Sequence, residues 1–238
     1  MELERIYEGK AKTLFKGPEE NEVFIFFKDD TTAFDGKKKE VLKEKGEINL
    51  QITRYIFRYL EKNGIPTHYL KPVDERTILA KKVKILPVEF IIRNVAAGGL
   101  TKRLGIPEGT KLPNIILEYC YKSDEYGDPM INAYHVQAMG LASDKDLALA
   151  SEYSFRINHL LKELFDKVGI ELVDFKVEFG IDCEGKLVLA DEISPDSCRL
   201  WDKKTSDKMD KDVFRRDLGD MVSKYKEVLK RLQEELND

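Results

Sequence analysis

Between Leu172 and Asp182 apolar and charged side chains alternate: Val173, Phe175, Val177, Phe179 and Ile181 are interleaved with Asp174, Lys176, Glu178 and Asp182. Side chains along a strand change face at every residue, so this pattern describes a strand with one core face and one face carrying acid, base, acid. Glu184-Gly185 is a candidate two-residue turn, and Leu187–Ile193 returns as a second strand. With Cys183 paired to Lys186, the register sets Glu178 opposite Asp191, with Cβ atoms about 5 Å apart. Facing carboxylates repel, and three things can neutralise them: a proton, a lysine such as Lys176, or a hard divalent cation. Oxygen donors with no His or Cys nearby favour magnesium over zinc.

The next residues, Asp191-Glu192-Ile193-Ser194-Pro195-Asp196-Ser197-Cys198-Arg199-Leu200-Trp201-Asp202, run from that strand into a loop. Loops on rigid strands commonly present binding groups, and Arg199 is a planar fork for phosphate or carboxylate. Asp196 and Ser197 are equally good turn formers. Near the start, Gly9-Lys10-Ala11-Lys12-Thr13 places two lysines on one side of an extended segment after a glycine, an arrangement that suits phosphate oxygens. It is not a Walker A loop, because GxxxxGK[ST] is absent. A third segment, Glu89 to Gly105, is a buried-type strand delivering Arg93, followed by the small-residue turn Ala96-Ala97-Gly98-Gly99 and a short helix.

Around these motifs the elements are those of an α+β chain. Strands are expected at Ile6-Tyr7, Thr13–Phe15, Val23–Phe27, Thr77–Ala80, Val88–Ile92 and Ile115–Cys120. Helical spacing runs from Ile48 to Leu60, stopped by Asn63-Gly64 and Pro66, and from Asp144 to Val168, stopped by Gly169. One long helix is expected from Asp212 to Leu236, with Val213, Leu218, Met221, Val222, Tyr225, Leu229 and Leu232 as its apolar stripe. A boundary near Lys81-Lys82-Val83-Lys84 divides the chain into 1–80 and 81–238. The lysines 37–39, 43 and 45 alternate with glutamates and read as a solvated loop or helix face.

Composition excludes several classes. The formal net charge is −4, from 40 Lys+Arg against 44 Asp+Glu, which argues against a nucleic-acid binder. The longest apolar run, Val23–Phe27, is far shorter than a membrane span, and the start has no signal-peptide character. Three cysteines without CxxC spacing indicate reduced thiols rather than a disulfide framework or structural zinc. A cytoplasmic protein is expected.

GKAKT, PVEFIIRNVAAGGLTKRLG, LVDFKVEFG, DEISPDSCRLWD and DKMDKDVFRRDLG occur together, in this order, along essentially the whole chain. The sequence resembles the phosphoribosylaminoimidazole-succinocarboxamide synthases, or SAICAR synthetases. The resemblance implies an ATP-grasp-like α+β fold, with a small N-terminal antiparallel-sheet domain and a larger domain ending in a long helix. It implies an ATP- and Mg2+-dependent ligase that joins L-aspartate to the carboxylate of carboxyaminoimidazole ribotide (CAIR), and a homodimer.

By motif position, Gly9, Lys10, Ala11 and Lys12 would follow the ATP phosphates, and Lys82, Val83 and Lys84 would meet the adenine. Glu178, Asp191 and Asp128 would hold metal. Lys12, Lys176 and Asp191 would be catalytic. Asp35, Glu89, Arg93, Gly98, Gly99, Lys122, Asp174, Asp196 and Arg199 would bind the substrates. The sequence departs from the family at Gly99, where relatives often carry serine, and this implies altered phosphate contacts. Two other classes are weighed beside the ligase. A kinase needs a base for a hydroxyl proton, and no H-R-D-type loop is present. A non-catalytic nucleotide- or RNA-binding module would show no turnover and a steep loss of affinity with salt.

Overall fold

The computed structural model describes residues 3–33 and 36–236, so Asp35 lies outside the described residues. The first sheet is built from β1 (Arg5–Glu8), β2 (Lys12–Lys16), β3 (Glu22–Phe27), β6 (Tyr69–Pro72) and β7 (Thr77–Lys81), in the order β1-β2-β3-β7-β6. All its pairings are antiparallel. A separate ribbon, β4 (Asp30–Ala33) with β5 (Lys38–Val41), leads into helix α1 (Lys45–Lys62). Ile48, Ile52, Ile56 and Leu60, four residues apart, bury one stripe of α1, as the 3.6-residue period requires. Fully burying each such side chain contributes about 1.5–3 kcal/mol.

The second sheet is larger. It contains β8 (Lys84–Val95), β9 (Lys111–Tyr121), β10 (Met130–Ile131), β11 (Ile170–Ile181) and β12 (Leu187–Ala190), in the order β10-β9-β8-β11-β12. A further strand, β13 (Cys198–Asp202), also pairs with β11. Short helices α2 (Gly99–Leu104) and α3 (Ala133–Ala138) sit in its connections, and the long α4 (Asp144–Lys167) packs on β11 and β8. Ser143 caps α4 by accepting from the Asp146 amide. The two sheets meet where residues 66–68 run alongside β12: Leu189 N donates to Pro66 O and His68 N donates to Leu189 O. One hydrophobic core joins them, extending from Val23 and Ile25 through α1 to Phe90 and Phe179.

Three expectations need correction. The hairpin between β11 and β12 turns through three residues, Cys183 to Gly185. Asp182 N donates to Lys186 O, its Oδ1 accepts from the Glu184 and Lys186 amides, and Gly185 takes a left-handed φ of 76°. A side-chain cap from Asp182, invisible in a composition-based turn rule, shifts the register by one. Glu178 is therefore opposite Ala190, not Asp191. The strand also stops at Ala190, because Asp191 has φ 62°.

Second, the expected helix 212–236 is two helices, α5 (Asp212–Arg215) and α6 (Met221–Leu236). Asp217 (φ 54°) and Gly219 (φ 119°) break it, and Leu218 is exposed rather than part of the stripe. Third, Lys45 is not solvated: it is 1% exposed and ion-paired to Asp196 at 2.8 Å.

Candidate active site

The acid-base-acid face of β11 forms the floor of the site. Asp174 and Lys176 line a polar cavity of about 380 Å³, together with Arg93, Asp196, Arg199 and Lys211. Glu178, two residues further along the same face, lines a second cavity of about 430 Å³ with Lys12, Lys122, Asp191, Lys82 and Val83. The walls of this second cavity are largely aliphatic, from Leu14, Val23, Ile25 and Ile85. A single strand face thus passes from a charged cavity to an apolar one, with Lys176 at the junction.

Each charge on this floor has a partner. Lys176 Nζ donates to Glu89 Oε1 at 2.5 Å and lies 3.5 Å from Glu178 Oε1. Lys122 Nζ donates to Glu178 at 2.6 Å. Lys12 Nζ reaches across from the first sheet to Asp191 Oδ1 at 2.5 Å and Glu192 Oε1 at 2.7 Å. Of the three ways to neutralise the acids, lysines lie within hydrogen-bond distance of them.

The left-handed backbone at Asp191 brings its carboxylate into the cavity that Glu178 lines, although the two residues are not cross-strand partners. Burial works against ionising Asp191, but Lys12 and Lys176 overcome it and hold the carboxyl down to about 2. Burial likewise disfavours the Lys12 ammonium, and Asp191 and Glu192 outweigh it, so Lys12 stays charged. Lys176 follows the same pattern, with Glu178 and Glu89 as its stabilisers. Burial raises the Glu89 carboxyl, against the pull of Lys176.

In the charged cavity Asp174 holds two arginines. It accepts from Arg93 Nη1 at 2.7 Å and from Arg199 Nη1 at 2.9 Å. Arg93 is further fixed by Glu118 at 2.6 Å, and Arg199 Nε by Asp212 at 2.9 Å. Held by carboxylates on one side, each guanidinium is a rigid fork with donors to spare for an anion. Gly98, at φ 57° and ψ −129°, lies under Arg199: a Cβ there would stand 2.5 Å from Nη2. Asp196 is buried between Lys45, Lys211 and the Tyr225 hydroxyl, which donates at 2.7 Å. Burial opposes its ionisation, and Lys211 and Lys45 prevail.

The remaining expected residues scatter more. Gly9, Lys10 and Ala11 form the turn between β1 and β2, closed by Gly9 N donating to Lys12 O. Lys10 lines the charged cavity rather than the one holding Lys12, and pairs with Asp124 at 2.7 Å. Asp128 also lines the charged cavity, and its Oδ1 accepts from Ser123 N. It does not line the cavity of Glu178 and Asp191, and among the described residues no group of three or more His, Cys, Asp or Glu side chains converges. Lys84 begins β8 and is exposed, whereas Lys82 and Val83 line the apolar cavity. Gly99 starts α2 beside Arg103.

Sequence reading missed Lys45, Lys211, Asp212, Arg215, Glu118 and Glu192. The motif DKMDKDVFRRDLG contains three of these, and its charge alternation over a broken helix was the available signal. His68 was also missed. Burial pushes its imidazole down to about 4, so the ring is neutral beside Lys12 and Asp191.

Comparison with known proteins places the chain in a family. The family model described as SAICAR synthetase matches residues 5–232. The phosphoribosylaminoimidazole-succinocarboxamide synthase of Fusobacterium nucleatum is 54% identical over 96% of this chain and 97% of the relative. Among solved structures, the synthase of Ehrlichia chaffeensis superposes with a TM-score of 0.94 at 44% identity, covering 97% of this chain and 98% of that one. A SAICAR synthetase in complex with ADP superposes with a TM-score of 0.92 at 47% identity, covering 95% and 96%. The chain belongs to the SAICAR synthetase family.

Proposed function

We propose that this chain joins the amine of L-aspartate to the carboxylate of CAIR, converting ATP to ADP and phosphate and releasing SAICAR. The observation that carries the reading is the β11 face, which links an apolar cavity edged by lysines to a charged cavity edged by arginines through Lys176. Two bound partners have to meet at a cationic junction, and the junction is where their cavities adjoin.

A carboxylate does not accept an amine at neutral pH, because oxide is too poor a leaving group. A CAIR carboxylate oxygen attacks the γ-phosphorus of ATP and ADP departs, leaving an acyl phosphate. The aspartate amine then attacks the acyl carbon, phosphate leaves, and the nitrogen loses a proton as the amide forms. Such transfers depend on positioning and charge neutralisation. Lys12 and Lys122 are placed to face the triphosphate, and Lys176 to neutralise oxygens in transfer. Arg93 and Arg199 hold the ribotide anion. Asp174 and Asp212 keep those guanidiniums in one orientation.

Magnesium fits the donor set: Glu178 and Asp191 are hard oxygen donors lining the same cavity as Lys12. Glu178 and Asp191 would be the residues of this chain that hold the ion. When bound, the ion neutralises phosphate charge and polarises the transferring group. Lys12 and Lys122 pair with these same carboxylates, which keeps both ammonium groups at the edge of the cavity.

The same reading includes residues 1–80 and 81–238 as two domains clasping the nucleotide, a homodimer, and a cytoplasmic location. No helix among the described residues is long and apolar enough to cross a membrane. The test is a coupled ADP-release assay with CAIR and a panel of amino acids. ADP release that needs both CAIR and L-aspartate supports the ligase. ADP release independent of any amine supports a kinase, and absence of turnover a binding module.

A further inference from the structure

His68 is a buried polar group in the apolar cavity with an unmet bond. It is 3% exposed, and its Nε2 has no hydrogen-bond partner among the described residues. The ring stands edge-on to Phe57, with centroids 5.7 Å apart, and lines the cavity of Lys12 and Val83. It is also hydrogen-bonded to the Asp191 main-chain carbonyl. A neutral imidazole that gives its one N–H to a carbonyl keeps a lone pair on the other nitrogen. A buried acceptor without a donor is costly, and a ligand entering the cavity can supply that donor.

Strand pairing tells which end of a nucleotide would meet it. Lys81 N donates to His68 O at 2.7 Å, so His68 stands beside the Lys82-Val83 connection. Tyr69, Ala80 and Val23 form one row across the sheet at this end. The Lys12 main chain is paired with Phe27, four residues further along β3 or about 13 Å at roughly 3.3 Å per residue, and its Nζ reaches back from there to Asp191. With phosphates at the Lys12 end, the base occupies the aliphatic end, between Val23, Ile25, Val83 and Ile85.

We infer that His68 Nε2 accepts a hydrogen bond from the exocyclic amine of a 6-aminopurine, and so selects adenine over 6-oxopurine nucleotides. The inference rests on reading this cavity as the nucleotide site. An amine at the 6-position meets the lone pair as a donor, whereas a carbonyl sets lone pair against lone pair. Sites that hydrogen-bond a ligand group reject analogues lacking it, because their own polar atom is left unpaired.

Calorimetric titration of the wild type, His68→Gln and His68→Met tests this. The ligands are ADP, purine riboside 5′-diphosphate (hydrogen at position 6), inosine 5′-diphosphate (oxygen at position 6) and 2′-deoxy-ADP. The wild type is expected to bind ADP about tenfold to a hundredfold more tightly than purine riboside diphosphate, and inosine diphosphate more weakly still. His68→Met is expected to lose the difference between ADP and purine riboside diphosphate. His68→Gln, whose side-chain carbonyl is an acceptor, keeps it.

Equal binding of ADP and purine riboside diphosphate by the wild type overturns the inference. So does a His68→Met variant that still discriminates, or selectivity that follows the 2′-hydroxyl instead of the amine. No binding of ADP at all overturns the nucleotide reading itself, which separates the two failures. Should the variants not fold, 15N-histidine resonances of the wild type decide: the Nε2 signal of His68 shifts with ADP and not with purine riboside diphosphate, and an unmoved signal overturns the inference.

Discussion

Lys12 Nζ lies 2.5 Å from Asp191 Oδ1, tying the second strand of the small sheet to the residue that ends β12, 179 positions away in the chain. The same ammonium holds Glu192 at 2.7 Å. Removing it leaves two carboxylates facing each other with little water, and breaking a buried pair in this way costs about 3–5 kcal/mol. Lys12→Met is therefore expected to lose about 3 kcal/mol in urea unfolding at pH 7. It should also lower kcat/KM for ATP by about a hundredfold or more. Asp191→Asn should lower kcat/KM comparably, with a smaller stability loss because Glu192 still pairs with Lys12. A Lys12→Met enzyme with near-native kcat/KM removes that lysine from the mechanism.

The parts of this site that the sequence made legible are those that depend on period. Alternation along β11 placed Asp174, Lys176 and Glu178 on one face, and the structure has them there, lining adjoining cavities. What failed depended on single side chains acting on the backbone. Asp182 caps the hairpin and moves its register, so Glu178 meets Ala190. Asp191 still reaches the cavity, through a left-handed φ that no apolar pattern announces. Lys45 is the sharpest case. Its glutamate-rich surroundings describe a surface, yet Asp196, 151 residues later, draws it into the interior. Local charge patterns carry no information about such distant partners.

That ion pair carries its own prediction. Lys45 and Asp196 are both almost entirely excluded from water, and Lys45 Nζ also donates to the Asp30 carbonyl at 2.9 Å. Lys45→Met should cost about 3 kcal/mol or more at neutral pH. The milder Tyr225→Phe, which removes one charge-assisted bond to Asp196, should cost about 1.5–3 kcal/mol. Chemical denaturation of both variants checks the order. A Lys45→Met protein as stable as the wild type would mean that Asp196 is neutral or finds another cation.

Two buried groups titrate with opposite sign over one pH range. Asp210 is pushed up to about 7 by burial and by repulsion from Asp212, while its oxygens accept from the Leu200 and Asp212 amides. Its folded pKa lies above the unfolded one, so the fold binds more protons between about pH 4 and 7. Stability from this group falls as pH rises through that window, by at most about 4 kcal/mol. His68 does the reverse. It sits at about 4 in the fold against an ordinary 6.5, so the unfolded chain binds more protons and stability is lost as pH falls from 6.5 to 4, by about 3 kcal/mol. The two nearly cancel. The wild type should show a shallow stability profile from pH 4.5 to 6.5, and His68→Gln should grow more stable on acidification relative to pH 7. Urea midpoints against pH read both slopes, and an unchanged profile in His68→Gln would contradict the assignment of His68.

Gly98 and Gly99 are neighbours with opposite tolerance for a side chain. At Gly98 the backbone has φ 57° and ψ −129°, and a Cβ would meet the Arg199 guanidinium at 2.5 to 2.8 Å. Holding an L-residue in such a conformation costs about 1–3 kcal/mol, and Arg199 must leave Asp174 and Asp212 to make room. Gly98→Ala is therefore expected to raise the KM for CAIR by about tenfold or more. At Gly99 the backbone is helical, and an added Cβ meets only the tip of Arg103, at 2.8 Å. That arginine can turn aside, because Glu118 keeps Arg93 as its second partner. Gly99→Ser should leave stability within about 0.5 kcal/mol and lower the KM for CAIR, since its hydroxyl adds a donor beside Arg103, one residue from the Gly98 that lies under Arg199. Steady-state kinetics with CAIR varied at saturating ATP and aspartate distinguish the two residues. An unchanged KM in Gly99→Ser would show that backbone amides and arginines already saturate the phosphate, and that the missing hydroxyl is no deficit in this chain.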